Sequence, residues 1–179
     1  MRPEEVDALR TARHPTIDAT AFIAGSADVV GDVTVGPESS IWYGCVLRGD
    51  IAPIVVGART NIQDLTVVHV DRDTPTRIGD DVGVGHRAII HGCVIEDRCL
   101  IGMGAIVLSH ARIGAGSVIA AGALVTEGVE VPPHSLVVGV PGRVVRPVDE
   151  ELAERAAMTV RSYRLLRERH RDGRWSGER

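Results

Sequence analysis

Lysine is missing from the 179-residue sequence, and all 20 basic residues are arginine. That excludes a Walker-type phosphate loop and any Schiff-base mechanism, both of which need an ε-amino group. Aromatic residues are almost missing too: Phe22, Trp42, Tyr43, Tyr163 and Trp175 are the only five. Rings usually supply much of a core's buried area, so this core must be built from Val, Ile, Leu and Ala. No apolar run approaches the roughly 18 residues of a membrane-spanning helix. The first 25 residues carry Glu4, Glu5, Asp7 and Asp18 without an apolar stretch, which argues against a secretory signal. Cysteine is scarce as well. Cys45, Cys93 and Cys99 form no CxxC pair, and reduced thiols in the cytoplasm are the simplest expectation. A net charge of −4 offers no basic surplus for nucleic acid or an anionic membrane, so neither is expected as a partner.

What the chain does have is glycine, 20 residues of it, and a repeat. Aliphatic residues recur every six positions at Ile17, Ile23, Val29, Val35, Ile41 and Leu47. After a slip the series resumes at Val56, Ile62 and Val68, then after an insertion with Asp71, Asp73 and Pro75 at Ile78, Val84 and Ile90. It slips once more and runs through Ile95, Ile101, Val107, Ile113, Ile119, Val125, Val131 and Val137. A period of six fits neither a helix nor one continuous strand; it fits a short strand and a turn, repeated, with the aliphatic side chain inward. Over residues 14–146 this resembles the hexapeptide-repeat family, which implies an all-β solenoid, a left-handed parallel β-helix with three hexads per coil.

Four segments are expected. Residues 1–13 form an N-terminal segment and residues 14–146 the solenoid. Residues 147–170 form a C-terminal helix packed on the solenoid and suited to cover its open end, and residues 171–179 a loose tail. Asp149 before Glu150 and Glu151 predicts the helix N-cap. Leu152, Ala156, Val160, Tyr163 and Leu166 fall on one helical face.

The register allows side-chain columns to be counted. Leu47, Val68 and Ile90 lie three hexads apart, so Arg48, His69 and His91 stack as one outward column with a spacing of about 4.8 Å. Ile62 and Val84 share another face, and two residues beyond them Asp64 and His86 form a second column. Two stacked imidazoles suit one metal. His86 lies on a different face and predicts a ligand shared with a neighbouring copy around a three-fold axis, with Asp64 meeting Arg48 across the same boundary.

The strings Arg48-Gly49-Asp50, Asn61-Ile62-Gln63-Asp64, His69 and His86-Arg87-Ala88-Ile89-Ile90-His91-Gly92-Cys93 resemble the γ-class carbonic anhydrase family. The resemblance implies a homotrimer with one metal per interface, His69 and His91 from one chain and His86 from the next. Zn2+ is the first expectation, with Fe2+ or Co2+ as other metals. It implies Gln63, Asn61 and Tyr163 as catalytic residues around a metal-activated water that converts carbon dioxide to bicarbonate, Arg48 with Asp64 as an interface ion pair, and Asp50 as a further pocket residue. Two departures stand out. Ile51 occupies a position where the fully active prototype carries glutamate, and the loop Val70–Thr76 is short and lacks its shuttle glutamate. The metal site is therefore expected intact without the prototype's equipment for proton removal.

Two other readings stay open. Hexapeptide solenoids also include acyltransferases and thioesterases acting on coenzyme A esters, for which His110 would be the natural base. A metal-stabilised trimeric scaffold without catalysis is the other. Remaining features read as structural. Gly83-x-Gly85 and Gly102-x-Gly104 are by-products of the turns, the three cysteines pack, and the C-terminal arginines form a solvated helix face. His14, His134 and His170 read as surface side chains, and Ser109-His110 is no dyad because neighbours on a strand point apart.

Overall fold

The computed structural model describes residues 13–173, so the expectations for residues 1–12 and 174–179 lie outside the described residues. Among the described residues, nineteen strands run from β1 (Thr16–Ile17) to β19 (Arg143–Pro147), followed by one helix, α1 (Glu150–Arg171). Most strands are two or three residues long, as a six-residue period with a turn in each repeat requires. They wind as a left-handed parallel β-helix of about 7 turns. Pairing is parallel throughout, except that β19 folds back antiparallel on β18 (Ser135–Val138).

The inward column is the core. Ile41, Leu47, Ile62, Val84, Ile90, Ile101, Val107, Ile113 and Ile119 are completely buried, each contributing about 1.5–3 kcal/mol by leaving water. The column frays at its N-terminal end, where Ile17 is 41% exposed. Cys45, Cys93 and Cys99 are buried free thiols. Burial pushes them up to about 11, 12 and 11 respectively, far from the reactive range.

The irregular spacings all fall at one corner. Leu47, Val68 and Ile90 pair on one face, in β5 (Val46–Val56), β7 (Val67–His69) and β10 (Ile89–His91). Val56, Ile78 and Ile95 pair on the next face, in β5, β8 (Thr76–Ile78) and β11 (Val94–Ile95). Between the two faces the chain therefore takes nine, ten and five residues in successive coils, where six is the rule. In β5 the excess is a bulge. Gly31 pairs with Gly49 and Val33 with Ile54, so β3 (Asp28–Val35) advances two residues while β5 advances five. Gly31 is required there: at φ +83°, an added Cβ would meet the Gly49 carbonyl at 2.4 Å.

Helix α1 begins as expected, with the Asp149 carboxylate accepting the Leu152 N–H. It does not cover the open end of the solenoid. It runs back along the third face, against β4 (Ser40–Ile41), β6 (Asn61–Ile62) and β9 (Gly83–Val84). Four of the five aromatic residues fasten it. Trp42 stands 5.4 Å from Phe22, 6.3 Å from Tyr43 and 5.2 Å from Tyr163, ring centre to ring centre.

His170 joins this cluster, 4.9 Å from Trp42 and with Nδ1 2.9 Å from the Tyr43 hydroxyl, and is not the surface side chain expected. Two of the arginines depart from the expected solvated face, while Arg161, Arg169 and Arg171 stay exposed as expected. Arg167 is 5% exposed and donates to the Thr20 carbonyl at 2.9 Å, and Arg164 pairs with Glu38 at 2.6 Å. A long aliphatic stem lets arginine bury its body while its head reaches a backbone acceptor, which a charge count does not reveal.

Candidate metal centre

The corner with the irregular spacing also carries the histidines. His69 and His91 are directly paired residues of β7 and β10, as the count of hexads predicts. His69 Nδ1 lies 3.2 Å from His91 Nε2. The other nitrogen of each ring is committed elsewhere. His69 Nε2 faces Asp50 Oδ1 at 3.1 Å, and His91 Nδ1 faces Ser109 Oγ at 3.0 Å. The bulge in β5 is what brings Asp50 to His69.

These partners decide the tautomers. A carboxylate only accepts, so His69 carries its proton on Nε2 and presents a bare lone pair at Nδ1. Ser109 Oγ lies between the Asp71 carboxylate at 3.5 Å and His91 Nδ1 at 3.0 Å, and when its own proton goes to Asp71 it receives the His91 Nδ1 proton. In that state two acceptors face each other at 3.2 Å, an arrangement that a shared proton or a metal ion satisfies. Two imidazole ligands on a tetrahedral ion, at 2.0–2.1 Å each, stand about 3.3 Å apart. The pair fits a divalent metal on donor type and on separation.

His86 sits at a different corner. Leu65 and Arg87, at φ 63° and 60°, turn the chain directly after Asp64 and His86. Asp64 Oδ2 accepts from His86 Nδ1 at 2.9 Å. His86 Nε2 is 3.3 Å from the Tyr163 hydroxyl, which donates to it from α1. Burial, reinforced by the Asp64 charge, pushes the Tyr163 phenol up to about 12, so it keeps its proton. Among the described residues of one chain, no three His, Cys, Asp or Glu side chains gather where a metal could sit. The structure joins His69 with His91, and His86 with Asp64 and Tyr163, as two separate groups.

Arg48 pairs within the chain with Asp50, and Asp64 pairs with His86. Burial works against ionisation of Asp50, but hydrogen bonds from Arg48 and His69 outweigh it and hold the carboxyl below its usual range. Asn61 and Gln63 are both buried, and Gln63 Nε2 donates to Asn61 Oδ1 at 3.0 Å. The Gln63 Oε1 has no partner among the described residues and remains an available acceptor.

Alongside the histidines runs an outward aliphatic ladder. Val46, Val67, Ile89, Ile106 and Leu124 are paired in register from strand to strand. Val67 and Ile89 are each 39% exposed and share the face of His69 and His91, two residues on.

Ser109 is the residue that a reading by column misses. It lies two positions past inward Val107, where the histidines lie one past theirs. The five-residue step from Ile90 to Ile95 is the signal that the corner tightens there, drawing the following coil against His91. Ser109 meets His91 and not its neighbour His110.

Comparison with known proteins follows the same lines. The family model for bacterial transferase hexapeptides (six repeats) matches residues 92–127. Gamma carbonic anhydrase 1, mitochondrial, of Arabidopsis thaliana is 43% identical over 162 residues, covering 87% of this chain and 59% of the plant protein's length. The carbonic anhydrase of Geobacillus kaustophilus is 47% identical over 137 residues, covering 76% of this chain and 75% of that protein. A crystal structure of a hexapeptide transferase family protein from Anaplasma phagocytophilum superposes with a TM-score of 0.83 at 44% identity, covering 86% of this chain and 91% of that one. With repeat, histidine register and relatives in agreement, this chain belongs to the γ-carbonic anhydrase-like family of hexapeptide-repeat transferases.

Proposed function

We propose that the protein works as a homotrimeric metalloprotein that interconverts carbon dioxide and bicarbonate, a lyase of the carbonate dehydratase type. The observation that carries this reading is the 3.2 Å separation of two facing imidazole nitrogens, His69 Nδ1 and His91 Nε2. A third ligand, His86, comes from the neighbouring copy. Zn2+ is the first candidate and Fe2+ or Co2+ the next, since imidazole suits all three. Such an ion supplies, when bound, a water acidified to near neutral pH.

The chain's own residues do the rest. Gln63 offers its free Oε1 to a water proton, and Asn61 fixes that orientation by accepting from Gln63 Nε2. Tyr163 stays a phenol and closes the pocket from α1. The aliphatic ladder of Val67 and Ile89 suits burial against a second copy, which would also keep bulk water from the histidines. In the assembly, Arg48 and Asp64 meet across the boundary. Three buried, protonated thiols fit a cytoplasmic location.

Metal content and ligand sharing are tested together. Purified protein is expected to hold about one metal per chain, and His91→Ala to lose it. Unfolding and refolding the His86→Ala and His91→Ala variants together should restore one metal site per mixed trimer, because each mixed ring has one boundary with both intact faces. Mixed trimers that bind no more metal than either variant alone would overturn the shared site. Stopped-flow hydration of carbon dioxide, in an inert buffer and in imidazole, tests the reaction. Rescue by imidazole is expected, given Ile51 and the short loop Val70–Thr76. Activity in neither buffer would favour the scaffold reading, and chelator-resistant turnover of acyl-coenzyme A would favour the transferase reading.

A further inference from the structure

We infer that Ser109 is a positioning residue that selects which nitrogen of His91 is presented to the metal. The inference rests on reading His91 as a ligand. Ser109 is 4% exposed, and its Oγ is 3.0 Å from His91 Nδ1. Its backbone is anchored by the following coil, with the Ser109 carbonyl accepting the Gly128 N–H at 3.0 Å. The hydroxyl owns one proton and has the Asp71 carboxylate as acceptor at 3.5 Å, so toward His91 it accepts. That stabilises the Nδ1–H tautomer and leaves Nε2 as the bare nitrogen opposite His69.

The local backbone is shaped around this contact. Gly92, immediately after His91, has φ +54°, and a Cβ there would meet Ser109 Oγ at 2.9 Å and Ser109 Cβ at 3.3 Å. The hydroxyl occupies the space that a side chain at position 92 would take. Thr76 secures the same corner. Its Oγ1 donates to the His69 carbonyl at 2.6 Å and accepts the Gly92 N–H at 2.9 Å. Asp71, at the base of the short loop, is held by the Arg72 N–H at 2.9 Å and by a bridge to Thr74. The loop insertion therefore delivers a carboxylate to the outer side of Ser109, and Asp71, Ser109 and His91 form one continuous chain of contacts. Orientation of ligand histidines by an outer hydrogen-bond partner typically changes metal affinity by about 10–100-fold.

The test reads the tautomer and the affinity separately. In metal-free protein at pH 8, long-range 1H–15N NMR of the His91 ring, assigned with His91→Gln, is expected to show the Nδ1–H form. In Ser109→Ala it should move toward the Nε2–H form that free imidazole favours, and Ser109→Thr should restore the wild-type pattern. Chelator competition with Zn2+ should show affinity about 10–100-fold weaker for Ser109→Ala and near wild type for Ser109→Thr. An unchanged His91 spectrum in Ser109→Ala would overturn the inference, as would unchanged zinc affinity in a wild type that binds zinc. A tautomer that shifts in a wild type binding no zinc would instead sink the metal reading and leave the Ser109 contact standing.

Discussion

Asn61 and Gln63 are the only asparagine and the only glutamine in the chain, and they are hydrogen-bonded to each other at 3.0 Å. Both are buried beneath α1 at the end of β6, two residues apart and on the same side of the strand. A core assembled from aliphatic side chains has no packing use for two carboxamides. Their pairing satisfies one donor and one acceptor internally and leaves the Gln63 Oε1 over.

Asn61→Ala strands the Gln63 Nε2 donor in a buried setting, at a cost of about 1–3 kcal/mol. Gln63→Ala should cost a comparable amount, since it leaves the buried Asn61 Oδ1 without its donor, and the Val82 carbonyl, which accepts from Asn61 Nδ2 at 3.5 Å, cannot replace it. Urea unfolding of both single variants and the double variant measures the coupling, expected at about 0.5–3 kcal/mol. Additive losses would show that the pair is incidental.

The inward column should be costly to truncate wherever it is sealed and cheap where it frays. Ile62→Ala, at 0% exposure, is expected to lose about 2–5 kcal/mol. Ile17→Ala, at a position 41% exposed, should lose well under half of that in the same unfolding experiment. Similar losses at the two positions would contradict a column that opens toward its N-terminal end.

Stability should decline in alkali. Cys45, Cys93 and Cys99 have folded pKa values of about 11, 12 and 11, all above the ordinary thiol value of 9.0. The folded state therefore holds these protons more tightly than the unfolded state does. Their contribution is complete below pH 9 and is lost as pH rises from there toward 12. Urea midpoints measured from pH 7 to 11 should fall over the upper part of that range, and Cys93→Ala should flatten the fall. Native protein should also show no thiol reaction with Ellman's reagent at pH 8, and three thiols once denatured.

Arg167 ties the far end of α1 to the first coils. Arg167→Ala removes its bond to the Thr20 carbonyl, a charged hydrogen bond worth about 1.5–3 kcal/mol. Hydrogen exchange should then quicken in the half of the helix after Tyr163 and stay unchanged in the first half, where Asp149 caps it. Uniform quickening along α1 would mean that the helix is held as one piece by its apolar face alone.

The repeat is legible in the sequence because it is enforced by one physical demand, that every sixth side chain enter a narrow axial column. From it the pairing of His69 with His91 follows by counting, and the register of β7 and β10 bears this out. The course of α1 is not legible in the same way. An amphipathic helix carries no statement of which face it lies on, and the aromatic cluster of Phe22, Trp42, Tyr163 and His170 that decides it joins residues more than a hundred positions apart. Ser109 was out of reach of hexad counting for the opposite reason. The contact is local to a corner where the period breaks, and counting fails where the count changes.

That corner has a consequence for how such a chain can vary. Three coils in succession take nine, ten and five residues to round it, yet the strands on either side stay paired. Length is absorbed where the chain leaves one face for the next, as a bulge in β5 and as a loop after β7. The loop between Asp71 and Thr74 is therefore a graft point: residues can be exchanged or added there, beside the histidines, while the ladder beneath them keeps its register.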